Sequence, residues 1–499
     1  MTKTVITGAT IFDGSGEPGF VGDLLITDGQ IAEVGEVPAS PDAQVVDGSG
    51  LCVAPGFIDV HTHDDYAAIL HPDMAFKNRG GVTTCIVGNC GFGAAPVEAA
   101  RTFAEVLHPG SALPDYDGYA GYMSYLEEHP PGVNIGVLAG HGTIRAAGLN
   151  GEAGFAREPT DAELTSMMDL LTEALDAGVL GLSSGLVYEP GRHANTEELI
   201  ALASVMSGTG ALYASHVRDE GDHLVESIAE AIEIGRAAAV PVQISHHKAT
   251  GTANWGKVRD SLALIDAARA DGLQVHADQY PYTAGSTSLE SVAGNYHIVE
   301  GAAVGGSTIS GDNLVVASCE AEPLWEGRTM NELAEEFGCS PSEAAQRVLS
   351  TARTTTVILH VMSEEDVRTV MAHDSTIIGS DGLPTLDGKP HPRLYNTFAR
   401  VLGHYSRDVG VLPLAEAIAR MTGHSADAFG LADRGYLRPG YAADVVVFDA
   451  ERIIDRGTFA DPNRYPDGIH HVFVNGVEVV DDGQPTGSRP GQVLRRSDG

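Results

Sequence analysis

Lysine is scarce in this chain: only 5 of 499 residues are Lys, and Lys plus Arg total 30 against 68 Asp plus Glu. The formal net charge is −38. A polyanion of this size repels nucleic-acid phosphate and anionic lipid, so neither is an expected partner. Cysteine is sparse as well, with five residues at 52, 85, 90, 319 and 339. An odd, scattered set of this kind excludes a disulfide framework and makes a reducing cytoplasm the expected compartment. Long apolar runs are missing, since none reaches the roughly 18 residues of a membrane span. The first residues, Met1-Thr2-Lys3-Thr4-Val5-Ile6, lack the basic-then-apolar pattern of a secretory signal. Repeats and low-complexity blocks are lacking too, which excludes solenoid architectures.

What is present is ordinary globular material, with 43% hydrophobic and 20% charged residues. The length fits one large domain plus a smaller one. Glycine, at 60 residues, exceeds its usual share and follows no period, which points to many tight turns. Residues 1–55 read as short β-branched runs punctuated by Asp-Gly, the texture of hairpins. The far end, 426–499, has the same texture, with a hairpin expected around Asn475-Gly476. Two such ends suggest one small sheet domain built from both termini. Residues 494–499 read as a loose tail.

The stretch 56–425 alternates short apolar runs with helical patterns, the signature of βα units and a parallel sheet. Expected strands cover 56–60, 83–87, 134–139, 179–183, 211–215, 242–245, 274–277, 356–360 and 375–380. Thr160-Asp161-Ala162-Glu163 is a capping box that opens a helix over 164–177, stopped by Gly178. Helices are likewise expected over 223–237 and 258–270. Eight or nine strands with helices between them fit a (β/α)8 TIM barrel, whose chemistry sits at the C-terminal ends of the strands.

Those ends are rich in metal-binding side chains. The first delivers His61-Thr62-His63, and an extended segment points both imidazoles the same way. The second ends near Cys90, the fifth delivers His216 and the sixth His246-His247. His276 lies within the seventh, and the last delivers Ser380-Asp381-Gly382. Thiolate, imidazole and carboxylate can share one Zn²⁺. Each residue alone has a plainer reading: Cys90 as a buried apolar thiol, His247 and His276 as packed imidazoles, Asp381 as a turn residue. Their convergence at the ends of separate strands favours a metal centre.

The chain also resembles the amidohydrolase superfamily, and within it the N-acyl-D-amino-acid deacylases. The resemblance rests on Gly56-Phe57-Ile58-Asp59-Val60-His61-Thr62-His63, Gly88-Asn89-Cys90-Gly91, Gly140-His141-Gly142-Thr143, His216-Val217-Arg218-Asp219-Glu220 and Ser245-His246-His247-Lys248. It continues through Tyr280-Pro281-Tyr282, Ser380-Asp381-Gly382 and His391-Pro392-Arg393, and spans nearly the whole chain in order. It implies a TIM barrel carrying a small β-sandwich made from both termini. It implies one tightly held zinc on Cys90, His216 and His246, with a weaker second position at His61 and His63 near Asp381. His141 is left outside the metal set. The implied reaction is hydrolysis of N-acyl-D-amino acids, small-molecule substrates, with Asp381 as general base and then acid. Lys248 and Arg393 match the family's anchors for the substrate carboxylate, and Tyr188 and Tyr282 its phenol donors.

Other readings compete. Gly181-Leu182-Ser183-Ser184-Gly185 fits the G-x-S-x-G of serine hydrolases, but that motif runs straight into a helix. Here Tyr188-Glu189-Pro190-Gly191 follows, and no helix is expected before about Asn195. A cyclic-amide amidohydrolase of the hydantoinase or dihydroorotase type would place a bridging Lys at the end of strand four, where this chain has Gly-Leu-Ser-Ser. A metal-free barrel scaffold would have lost ligands, whereas each position here is filled. The segment 288–326 is Gly-rich and shorter than in many relatives, so the resemblance leaves the acyl pocket undefined.

Overall fold

The computed structural model describes residues 3–38, 42–149, 155–303 and 307–496. Its centre is a barrel of eight parallel strands: Phe57–Asp59, Val82–Val87, Asn134–Gly140, Gly181–Gly185, Leu212–His216, Val242–Ile244, Val275–Gln279 and Thr376–Ile378. A parallel bridge between Thr62 and Gly382 closes the last strand onto the first. Helices return the chain between strands, and several obey local rules. Thr160 caps Asp161–Ala177 through a capping box, and Gly178 ends it in the left-handed region at φ 95°. The helices Leu224–Ala238 and Val258–Ala270 fall where apolar spacing places them.

Barrel strands are buried on both faces, so apolar side chains pack outward against the helices and inward at the barrel base. There Ile58, Ile86, Leu138, Leu180, Leu212 and Ile377 form one cluster, closed from below by Phe429 and Leu494. This apolar plug supports the base and leaves the opposite end free for polar groups. The chain end contributes to it. Val493–Leu494 pairs in parallel with Ile135 and Gly136, and the Arg496 amide bonds the Gly178 carbonyl at 2.9 Å. The expected loose tail is therefore docked through Arg496, and its remainder, 497–499, lies outside the described residues.

The run Thr356–Leu359 is not a barrel strand as its apolar sequence suggested. It pairs antiparallel with Gly285–Ser288 and Leu314–Ser318 in a separate three-stranded sheet. This sheet and the helices Leu289–Asn295, Met330–Phe337 and Pro341–Thr351 enclose a second apolar core, an insertion between barrel strands seven and eight. Thr-Val-Ile-Leu suits either kind of buried strand, and only pairing partners distinguish them. The described residues of 288–326 therefore belong to this folded unit.

The two chain ends form one nine-stranded sheet, in which Cys52–Pro55 joins the N-terminal strands to Val445–Phe448. A bridge from Gln30 to Ala442 folds the sheet back around a core of Ile6, Leu24, Ile26, Val53, Val445 and Phe473. The expected hairpin is present: Val474 pairs with Val477 across Asn475 (φ 48°) and Gly476 (φ 75°). No helix among the described residues is long and apolar enough to cross a membrane.

Candidate metal centre

The barrel's closing seam positions the first group of residues. The Asp381 amide donates to the His61 carbonyl at 2.7 Å, and the His63 amide to the Gly382 carbonyl at 3.2 Å. Beneath them, buried Asp59 accepts from the Ser380 amide (2.8 Å), the Ser380 hydroxyl (2.6 Å) and Lys77 Nζ (2.7 Å). Lys77 also pairs with Asp64 at 3.1 Å. This ion network pins both sides of the seam, so His61, His63 and Asp381 are held by one buried lattice of bonds. Cys90 comes from a loop held differently. Gly88 has φ 82°, and a Cβ there would meet the Leu138 carbonyl oxygen at 2.1 Å, so only glycine fits.

Cys90 (φ 55°), His246 (φ 36°) and Asp381 (φ 49°) all occupy the left-handed region. Among the described non-glycine residues only eight do so. Such conformations persist where surrounding contacts over-determine them, and they cluster at functional sites.

The donor atoms converge. Cys90 Sγ lies 3.3 Å from His61 Nε2 and 3.6 Å from His246 Nε2. His246 Nε2 lies 2.9 Å from His216 Nδ1. For comparison, tetrahedral zinc at its usual bond lengths separates a thiolate sulfur from an imidazole nitrogen by about 3.6 Å. Asp381 Oδ1 lies 3.2 Å from His63 Nε2 and 3.6 Å from His61 Nε2. Burial pushes the Cys90 thiol up, but His61, His216 and His246 outweigh it and hold the thiol well below its ordinary range. Burial likewise raises Asp381, yet Arg393, His246 and His63 keep its carboxyl well below the usual carboxylate value. Thiolate, imidazole and carboxylate side chains in one buried cluster are the donor chemistry of zinc.

Two carboxylates here had no role in the motif reading. Buried Asp278 lies 3.2 Å from His61 Nδ1 and accepts from the His246 amide at 2.8 Å. Glu220 Oε1 lies 2.9 Å from His246 Nδ1. Strand alternation could have flagged Asp278, which shares a face with His276 two residues earlier. His276 itself lies apart from the cluster, beside Arg269, His424 and Asp427. His247 also turns away and meets Ser261 Oγ at 2.8 Å. His141 pairs with Glu198 at 2.9 Å in a buried group with Arg145.

The residues matched to substrate binding divide. Arg393 is not a surface loop charge: it begins the helix Arg393–Arg400, is 1% exposed and bonds Asp381 Oδ2 at 2.9 Å. Its Nε and Nη1 are buried without partners. Tyr188 stacks edge-on to His216 at 4.9 Å. Lys248 is committed to Glu220 at 2.5 Å. Tyr282 packs against His391, Phe459 and Arg400 instead, with an unpartnered hydroxyl. The phenol ring beside Arg393 and Lys248 is that of Tyr280, at 4.4 and 5.8 Å. Two residues of a Tyr-Pro-Tyr turn can exchange roles without any change in the sequence pattern.

A model of the amidohydrolase family matches residues 44–480 of this chain. The chain belongs to the amidohydrolase family. D-aminoacylase of Alcaligenes xylosoxydans xylosoxydans is 41% identical over 99% of this chain and 97% of its own length. N-acyl-D-glutamate deacylase of the same organism is 39% identical over 99% and 96%. In three dimensions, the N-acyl-D-glutamate deacylase of Bordetella bronchiseptica, crystallised with zinc and a phosphonate inhibitor mimicking the tetrahedral intermediate, superposes with a TM-score of 0.89. It has 38% identity, over 99% of this chain and all of that one. This amidohydrolase thus falls in the N-acyl-D-amino-acid deacylase branch.

Within this amidohydrolase, strand four supplies no Lys or Glu to the centre. Ser184 Oγ instead bonds Tyr213 OH at 2.7 Å and Ser215 Oγ at 3.2 Å. Ser183 Oγ bonds the Gly88 carbonyl and accepts from the Gly91 amide at 3.0 Å, clamping the Cys90 loop. Neither serine is bonded to an imidazole, and the next α-helix starts only at Thr196, capped by Asn195.

Proposed function

We propose that this amidohydrolase is a zinc-dependent deacylase of N-acyl-D-amino acids. It hydrolyses the amide bond and yields a carboxylate and a free D-amino acid. The observation that carries this reading is the approach of His246 Nε2 to both Cys90 Sγ and His216 Nδ1, beside an Asp381–Arg393 pair, in a chain matching deacylases along its full length. Cys90, His216 and His246 hold the tighter ion, and His61 and His63 beside Asp381 form a weaker second position. Zinc, when bound, polarises the acyl carbonyl and lowers the pKa of water.

The remaining chemistry belongs to the side chains. Asp381 takes a proton from water at Oδ1, the oxygen facing His63, and returns it to the leaving nitrogen. Amide cleavage needs that return, because an amine anion is a very poor leaving group. Arg393 keeps Asp381 ionised through Oδ2, and its unpartnered Nε and Nη1 suit the α-carboxylate of the substrate. Lys248 adds positive charge, and Tyr188 closes the pocket over His216. The reduced thiol that zinc requires supports a cytoplasmic location.

The test is a panel of N-acetyl-D- and L-amino acids with Leu, Glu and Asp side chains, assayed with metal quantified in the same samples. Hydantoin and dihydroorotate belong on the same panel. D-selective turnover that tracks zinc content is expected. Equal rates on both enantiomers, full activity after chelation, or preference for the cyclic amides would overturn the reading.

A further inference from the structure

Glu220 carries no role in the reading above, yet it stands beside both imidazoles assigned to the tighter ion, within hydrogen-bond range of His246. His246 turns Nε2 toward Cys90 and His216, so its Nδ1 faces outward, 2.9 Å from Glu220 Oε1. His216 is turned the opposite way. Its Nδ1 faces His246, and its Nε2 lies 3.9 Å from Glu220 Oε2. An imidazole that gives one nitrogen to a metal must carry its proton on the other. The Glu220 backbone is itself fixed, because the Thr250 amide donates to its carbonyl at 2.7 Å. Lys248 Nζ lies 2.5 Å from Oε1, 2.7 Å from His246 Nδ1 and 3.0 Å from the His246 carbonyl, holding the carboxylate in place.

We propose that Glu220 is a positioning residue for the metal centre, its carboxylate fixing the tautomer and tilt of His246. This rests on the assignment of His216 and His246 as ligands. With Nε2 given to a metal, the Nδ1–H of His246 has Glu220 Oε1 as its acceptor, because the Lys248 ammonium 2.7 Å away can only donate. The geometry assigns Glu220 to affinity and orientation, without contact to substrate.

The experiment measures zinc affinity by chelator competition in the full-length parent, Glu220→Gln, Glu220→Asp, His216→Ala and the double variant Glu220→Gln/Lys248→Met. Visible spectra of the cobalt-substituted proteins are recorded in parallel. Glu220→Gln is expected to bind zinc about 10–100-fold more weakly, the usual cost of removing such a partner, with a shifted cobalt band. The double variant is expected to stay as weak as Glu220→Gln. Should Glu220→Gln fail to fold, Glu220→Asp, which retracts the carboxylate by one methylene, is read by the same criteria. Parent-like affinity and an unchanged cobalt band in the folded variant would overturn the proposal. Restoration by Lys248→Met would overturn it as well, since Glu220 would then serve only to neutralise the lysine. A parent that holds no zinc, or a His216→Ala variant that holds it normally, would instead sink the ligand assignment.

Discussion

Replacing Asp381 by asparagine tests the proton-transfer role most directly. The change is isosteric and removes the negative charge together with the ability to accept and return a proton. In Asp381→Asn the new amide would keep a carbonyl acceptor for Arg393, now 2.9 Å from Oδ2, and a group near His63, now 3.2 Å from Oδ1. Deleting one partner of a buried pair costs about 3–5 kcal/mol, and the retained carbonyl keeps the loss toward the lower figure. The fold should therefore survive. General acid–base catalysis contributes about 10²–10⁴ in rate, so kcat should fall by that factor, about 2.7–5.5 kcal/mol of barrier. KM should change little, because Arg393 Nε and Nη1 remain available to the substrate carboxylate. The assay is steady-state release of free amine from an N-acetyl-D-amino acid, with zinc quantified in the same preparation. A kcat within threefold of the parent at full zinc occupancy would refute the assignment. Loss of zinc alongside loss of rate would make Asp381 a ligand instead.

Three further outcomes follow from the geometry. Cys90→Ala should lose the tighter zinc and all turnover while keeping a native circular-dichroism spectrum, whereas parent-like zinc stoichiometry would remove the thiol from the ligand set. Tyr282→Phe should leave kcat/KM unchanged and stability within about 1 kcal/mol, since its hydroxyl has no partner to lose; Tyr188→Phe should weaken substrate binding, and the reverse pattern in KM would contradict the placement of the two rings. Burial, reinforced by nearby His71, lowers the pKa of His108 from 6.5 to about 4, and its Nε2 is unpartnered. Its folded value is depressed, so the unfolded chain binds the proton first, and this contribution is complete above pH 6.5 and lost as pH falls toward 4. The effect is worth about 3 kcal/mol at most, so His108→Gln should narrow its stability gap to the parent in urea titrations at about pH 4.5 relative to about pH 7.5; a constant gap would refute it.

Much of the fold is legible along the chain because local rules dominate there. The Thr160 capping box, the Gly178 stop and the Asn475-Gly476 turn each encode an element in a few residues. The donor residues are legible for a similar reason: they stand at the ends of recognisable strands. Thr356–Leu359 was misplaced because a short, largely apolar run states that a strand is buried but not what it pairs with. The choice between Tyr280 and Tyr282, and between His246 and His247, turns on side-chain direction at irregular backbone, where no period applies.

The sequence by itself determined the composition of the donor cluster: one thiol, a set of imidazoles and an aspartate, delivered from several separate βα units. Tertiary structure decided which nitrogens face inward, that Asp278 and Glu220 stand behind them, and that Arg393 is buried against Asp381. The reason is physical. Residue type and spacing are properties of short segments, whereas convergence of the donor atoms depends on closure of the barrel seam between Thr62 and Gly382, a contact spanning most of the chain.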